Sequence, residues 1–298
     1  MKEASAAMQS MTGYGRHRIC CDGRELTLEL KAVNHRFLDI SFRIPKNLAF
    51  LEDALRTRIN QSELRRGHLD VFITYQNTRT DAKEVRIDAA MLEAFNAAVK
   101  AAEKQLDPYK RATVAEILSL SGALNVSQAE EDTEAVTALA AEAFDAALAA
   151  LTAMRDREGA HLAEDLLHNL SELAALREQI LARAPEVPED YRKRLTARLD
   201  EWQLSDVDPQ RVAQEVAIMA DRCAIDEELS RLESHIAQFT DSVNNGSEVG
   251  RKLDFLLQEM NREVNTMGSK ASDALIAQCV VDAKCIIEKL REQVQNAV

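Results

Sequence analysis

Glu25-Leu26-Thr27-Leu28-Glu29-Leu30-Lys31-Ala32-Val33 alternates polar and apolar side chains residue by residue. A period of two puts every second side chain on one face of an extended chain, so this stretch reads as a half-buried strand. Residues 37–44 (Phe-Leu-Asp-Ile-Ser-Phe-Arg-Ile) and 69–75 (Leu-Asp-Val-Phe-Ile-Thr-Tyr) alternate likewise, and the three together predict a small antiparallel sheet with Phe37 and Tyr75 in its core. Between the second and third strands, Pro45 opens a helical pattern. Its apolar residues Leu48, Leu51, Leu55 and Ile59 recur at spacings of 3 and 4, and it closes before the basic turn Arg65-Arg66-Gly67-His68. The start of the chain is therefore α+β.

Strand signals fade beyond residue 85. From about Glu130 to Arg183 the chain is rich in Ala, Leu and Glu with almost no Gly or Pro, the pattern of one long helix or an antiparallel pair. Its apolar positions are mostly small, which suits close packing within a bundle or between subunits. Residues 184–189, with Pro185 and Pro188, break this helix, and residues 206–209 make a second break. Three apolar stripes follow: Val212, Val216, Met219 and Cys223; Leu229, Leu232, Ile236 and Phe239; Leu253, Leu256, Leu257, Met260 and Val264. Asn244-Asn245-Gly246 is the expected turn between the last two, and a final helix is expected over residues 271–295. The expected division is an N-terminal α+β region over 8–155 running into a helical arm, a helical linker over 156–211, and an all-α region over 212–298.

The 298 residues suffice for two ordinary domains, and 46% hydrophobic beside 29% charged residues is the balance of a folded soluble protein. No stretch approaches the ~20 apolar residues of a membrane helix, and the N-terminus has no apolar segment of signal-peptide length. The expectation is a non-membrane, cytoplasmic protein. Its five cysteines form no Cys-x-x-Cys pair, which argues for reduced thiols and against a disulfide framework or zinc knuckle. The net charge of -13 would oppose a polyanionic partner, but it is unevenly spread. Residues 1–80 carry a net +4 and residues 81–298 a net -17. A basic surface for nucleic acid beside an acidic, metal-binding region fits this split, although a solvated acidic helical surface fits it too.

Chemistry can be placed on the last helices. Glu228 and His235 are seven residues apart, two turns of one helix, with Arg231 between them. Glu259 and Glu263 are one turn apart beside the next stripe, and Glu215 flanks the first. If the three helices pack together, these carboxylates and one imidazole converge. Oxygen donors with a single imidazole suit Mg²⁺ or Mn²⁺ rather than zinc, and Mn²⁺ is favoured. Such an ion polarises a phosphoryl oxygen and acidifies a nucleophile. The same spacings also occur as solvated ion pairs of small net value. His68 and His35 lie where they could touch phosphate, and the scarcity of aromatics means that, if a nucleic acid binds, charge and shape dominate its recognition.

The chain resembles the YicC family in both halves. The N-terminal resemblance rests on Met11-Thr12-Gly13-Tyr14-Gly15 and Val33-Asn34-His35-Arg36-Phe37-Leu38-Asp39. The C-terminal one rests on Ala220-Asp221-Arg222-Cys223, Glu227-Glu228-Leu229-Ser230-Arg231-Leu232, Ser234-His235, Gly250-Arg251-Lys252-Leu253-Asp254-Phe255 and Gln258-Glu259-Met260-Asn261-Arg262-Glu263. The runs Asn265-Thr266-Met267-Gly268-Ser269-Lys270 and Arg291-Glu292-Gln293-Val294-Gln295-Asn296 complete it, while residues 85–210 are less distinctive. The resemblance implies a metal-dependent endoribonuclease, typically using Mn²⁺, that cuts single-stranded or looped RNA and assembles as a homohexamer around an RNA channel. The ligand candidates Glu228, His235, Glu259 and Glu263 fall inside these motifs, with Glu215, named on spacing alone, a further candidate, and catalytic roles are expected for His235, Glu259 and Glu263. The expected RNA contacts are Arg36, Arg65, Arg66, His68, Arg231, Arg262 and Lys270. Family members usually begin at the position of Met8, so residues 1–7 read as an extension; the ending Ala297-Val298 lacks the usual final glutamate.

Two other functions fit the same sequence. One is a noncatalytic RNA-binding adaptor that delivers transcripts to another nuclease. The other is a structural helical oligomer with no RNA role.

Overall fold

A computed structural model describes residues 8–35, 37–62, 64–103, 113–121, 123–129, 131–204, 207–245 and 249–295. In it the Glu25–Val33 alternation is strand β2 (Arg24–Val33), with Leu26, Leu28, Leu30 and Ala32 buried on one face. It pairs antiparallel with β1 (Gly13–Cys21) and with β4 (Gly67–Asn77), setting Leu28 against Ile73 and Leu30 against Val71. β3 (Leu38–Arg43) lies on the far edge, giving the order β1-β2-β4-β3.

β3 runs parallel to β4, so the sheet is mixed rather than purely antiparallel. The reason lies in the connection: helix α1 (Leu51–Gln61) carries the chain back across the sheet, and parallel neighbours require such a crossover. Leu51, Leu55 and Ile59 of α1 are buried, as their spacing predicts. Phe37, expected in the core, is 64% exposed because it precedes β3 rather than joining its alternation. β5 (Lys83–Ile87) and β6 (Leu124–Gln128) pair separately beside α2 (Ala89–Glu103) and α3 (Val114–Ser121).

The Ala-rich segment is one helix, α4 (Thr133–Arg183), capped by Asp132, whose side chain accepts from the backbone N–H groups of Glu134 and Ala135. It spans both hydrophobic cores. Val136, Ala140, Ala143, Phe144, Ala147 and Leu151 pack against the sheet, whereas Leu166, Leu170, Leu173 and Ile180 join the C-terminal helices. Residue 155, the expected boundary, falls inside this continuous helix. By length and composition α4 would pass for a membrane span, contrary to the expectation that no stretch approaches one. Its Ala-rich, weakly charged sequence produces that likeness, and its apolar face is taken up by the two cores.

The small residues serve a close approach. A Cβ on Gly15 would stand 2.0 Å from the Ala147 carbonyl oxygen, so β1 lies almost directly on α4. A Cβ on Gly159 would meet the Met8 carbonyl oxygen at 2.1 Å.

After α4 come α5 (Glu186–Glu201), α6 (Pro209–Cys223), α7 (Asp226–Asn245), α8 (Val249–Lys270) and α9 (Ala274–Val294). Gly246 of the expected turn between α7 and α8 lies outside the described residues. α4, α7, α8 and α9 share a core that includes Leu229, Leu232, Phe239, Leu253, Leu257, Met260, Val264, Ile276 and Ile287. α6 packs mainly on α5 and has no fully buried residue, so of the first apolar stripe Cys223, at the end of the helix, reaches the core of the other two.

Candidate metal centre

α7 and α8 form an antiparallel hairpin whose apolar stripes face the core. Side chains flanking those stripes therefore meet along the seam. Contacts run in opposite chain directions along it: Glu228 with Lys270, Arg231 with Glu263, and His235 beside Glu259 and Glu263.

His235, Glu259 and Glu263 each offer a ligand atom, and these atoms all lie within 4.8 Å of one another. Glu263 is buried, and the other two are half-buried. The His235 Nδ1 is buried and has no hydrogen-bond partner among the described residues. An unsatisfied buried polar atom costs on the order of 1–3 kcal/mol, and a cation at this point would remove that cost. Two carboxylates and an imidazole form a donor set suited to Mg²⁺ or Mn²⁺, so the residues present fit the ion. Two guanidinium groups border the trio. Arg231 Nη1 is 3.8 Å from Glu263 Oε1 while also bonding Glu227, and Arg262 Nη1 is 3.8 Å from Glu259 Oε2. Both arginine side chains are more than half exposed and can turn from these carboxylates to a phosphate.

The other expected ligands lie elsewhere. Glu228 is buried one heptad along α7, where its Oε1 accepts a 2.7 Å bond from the Lys270 ammonium. Burial opposes ionisation there, but the Lys270 bond and charge, a backbone N–H and Arg231 outweigh it and hold the carboxyl below its usual range. Lys270, expected to touch RNA, is the counterion of Glu228. Glu215 is exposed on α6, whose main packing partner is α5, and it does not reach the trio.

The expected RNA contacts of the N-terminal region divide in the same way. Arg65 and Arg66 are exposed just before β4, where Gly67 adopts φ +112° and turns the chain. His68 is held by two acids: Nδ1 is 2.8 Å from Asp39 Oδ2 and Nε2 is 3.5 Å from Asp70 Oδ1. The Asp39 hydrogen bond raises the imidazole pKa. Arg36 lies outside the described residues.

Residues 8–164 match the family described as "Endoribonuclease YicC-like, N-terminal region", and residues 180–297 match "Endoribonuclease YicC-like, C-terminal". The chain belongs to the YicC-like endoribonuclease family. Relatives named "Probable endoribonuclease YicC" include one from Clostridioides difficile (strain 630), 36% identical over 96% of this chain and 98% of its own length. Another, from Haemophilus influenzae (strain ATCC 51907 / DSM 11121 / KW20 / Rd), is 33% identical over 96% of this chain and 98% of its own. Both segments of the YicC-like match reach into α4, the helix that enters both cores. The buried cation Arg155 on α4 had no signal in the sequence, because its burial depends on how β1 lies across the helix.

Proposed function

We propose that this chain is a divalent-cation-dependent endoribonuclease that cleaves single-stranded or looped RNA at the α7–α8 seam. The observation that carries the reading is the convergence of ligand atoms from His235, Glu259 and Glu263 within 4.8 Å of one another, with the His235 Nδ1 buried and without a hydrogen-bond partner among the described residues. The names of both relatives supply the substrate class, RNA. Mn²⁺ is favoured over Mg²⁺ because one of the three donors is an imidazole nitrogen, a better ligand for a transition ion than for Mg²⁺.

In this reading His235, Glu259 and Glu263 hold the cation. The ion, when bound, acts as a Lewis acid on a non-bridging phosphate oxygen and lowers the pKa of the attacking hydroxyl or water. Arg231 and Arg262 leave their carboxylate partners to neutralise the phosphate beside the scissile bond. Arg65 and Arg66 hold the RNA backbone at a distance from the chemistry.

The proposal extends to a cytoplasmic homo-oligomer, a hexamer around an RNA channel. Large apolar side chains left exposed on α6 and on the segment joining it to α5 support self-association: Trp202 is 61% exposed, Leu204 50% and Ile218 47%. The test of function is cleavage of a labelled RNA by purified protein in parallel samples with EDTA, Mg²⁺ and Mn²⁺. Cleavage confined to the metal samples is expected. RNA bound but uncut in every sample would instead assign the chain an adaptor role.

A further inference from the structure

Arg155 is a buried cation without an acidic partner among the described residues. It is 5% exposed, and its Nε donates to the Ser10 carbonyl oxygen at 2.6 Å, with no ion pair to any described carboxylate. Burial accordingly lowers its pKa, against a raising influence from Asp156. Its two terminal amines have no hydrogen-bond partner among the described residues. Arginine in such a position normally meets a planar acceptor, because its donors form a fixed fork.

The side chain lines a cavity of about 530 Å³ between α4, the end of α1 and the N-terminal segment. Leu64, Leu148 and Ala149 supply apolar walls, and Gln9, Asp145 and Asp156 supply polar groups. Gln9 Nε2 donates to Asp156 Oδ1 at 2.7 Å, which leaves Asp156 Oδ2 as an acceptor. Asp145 is occupied by Arg58 at 2.7 Å. A free phosphate suits this cavity poorly, because two carboxylates share it with the single arginine. A flat ligand with apolar faces, acceptors on one edge and donors on the next suits it well. Guanine has that arrangement: O6 and N7 accept from an arginine fork, and N1–H and the N2 amino group donate to a carboxylate. Adenine places a donor beside N7 and breaks the match.

We propose that this cavity receives one unstacked guanine of the RNA, read by Arg155 and Asp156 between Leu64 and Leu148, so that the N-terminal region selects a base while the α7–α8 seam performs the cut. The inference rests on the RNA reading above. Leu64 directly precedes Arg65 and Arg66, which places exposed cations for the flanking phosphates beside the cavity. Bases recognised this way are taken from single strands and loops, where they can swing out of the stack.

The test is fluorescence anisotropy in EDTA with labelled oligouridylates that are all uridine or carry one central guanosine, adenosine or cytidine. The guanosine probe is expected to bind wild-type protein roughly tenfold more tightly than the others. Ala149→Phe at an exposed lining position, and Asp156→Asn on the exposed surface, should each bring the guanosine probe to the all-uridine affinity and leave that affinity unchanged. Equal affinity of wild type for all four probes would overturn the base pocket while leaving the RNA reading intact, as would a guanosine preference that survives Ala149→Phe. Failure to bind any probe would overturn both.

Discussion

The Lys270 ammonium donates to Glu228 Oε1 at 2.7 Å across the α7–α8 hairpin, one heptad from the His235–Glu259–Glu263 trio. The pair neutralises a carboxylate that would otherwise be buried alone beside the core. Lys270→Met is expected to cost about 1–2 kcal/mol, less than a fully buried pair because the Lys270 side chain is 38% exposed. Glu228→Gln should cost less, since the amide needs no counterion. Both variants should bind Mn²⁺ as wild type does, and isothermal titration beside urea denaturation checks this. A large loss of Mn²⁺ affinity in Glu228→Gln would return that residue to the ligand set.

Asp273 ties the end of α4 to the start of α9. It caps α9 by accepting from the backbone N–H groups of Leu275 and Ile276, and its Oδ2 takes a 2.7 Å bond from Arg183. The Arg183 bond lowers its pKa below the ordinary 3.8, helped by the backbone donors and opposed by burial. A depressed carboxyl pKa contributes stability that is fully present above the unfolded-state value and is lost as pH falls through the folded-state value. Asp273→Asn, which keeps a capping oxygen, should therefore lose about 1–2 kcal/mol at pH 7. Its deficit against wild type should shrink as the pH falls below about 4, as urea unfolding across that range would reveal.

Much of this architecture was legible because side-chain period reports burial. The alternation in β2 and β4, the spacing in α1 and the stripes of α7 and α8 each matched a face that is buried. β1 was not legible, because its inward positions include Gly13 and Gly15, which pack by their lack of a side chain. β5 escaped notice as well: all five of its residues are exposed, so no alternation of burial marks it. The parallel pairing of β3 depends on a crossover that no local pattern encodes. For the candidate metal centre, spacing named candidates on each helix but could not fix the hairpin register. That register sets His235 beside Glu259 and Glu263 and sets Glu228 beside Lys270. Glu215 shared the same local pattern, yet its helix packs elsewhere.

Arg65 and Arg66 are exposed cations in the basic N-terminal region. Changing both to Ala should weaken RNA binding for all sequences alike and reduce the slope of log affinity against log salt by about one to two units. Binding measured over a salt series checks this. An unchanged affinity and slope would remove this surface from the RNA path.

A hexamer would scatter light as a particle of about six times the 33.2 kDa chain mass. Trp202→Ser with Ile218→Ser, exposed just after α5 and on α6, should shift the population toward smaller species without unfolding the chain. Wild-type mass at 33.2 kDa across micromolar concentrations would contradict assembly.

The central claim is tested most directly by His235→Ala and Glu259→Gln, assayed for cleavage at saturating Mn²⁺ and for RNA affinity in EDTA. Both variants are expected to lose cleavage, and to bind Mn²⁺ more weakly, while keeping nearly wild-type RNA affinity, because the proposed backbone contacts come from the basic N-terminal surface. Wild-type cleavage rates in both variants would contradict the account and reduce the trio to a set of ordinary ion pairs.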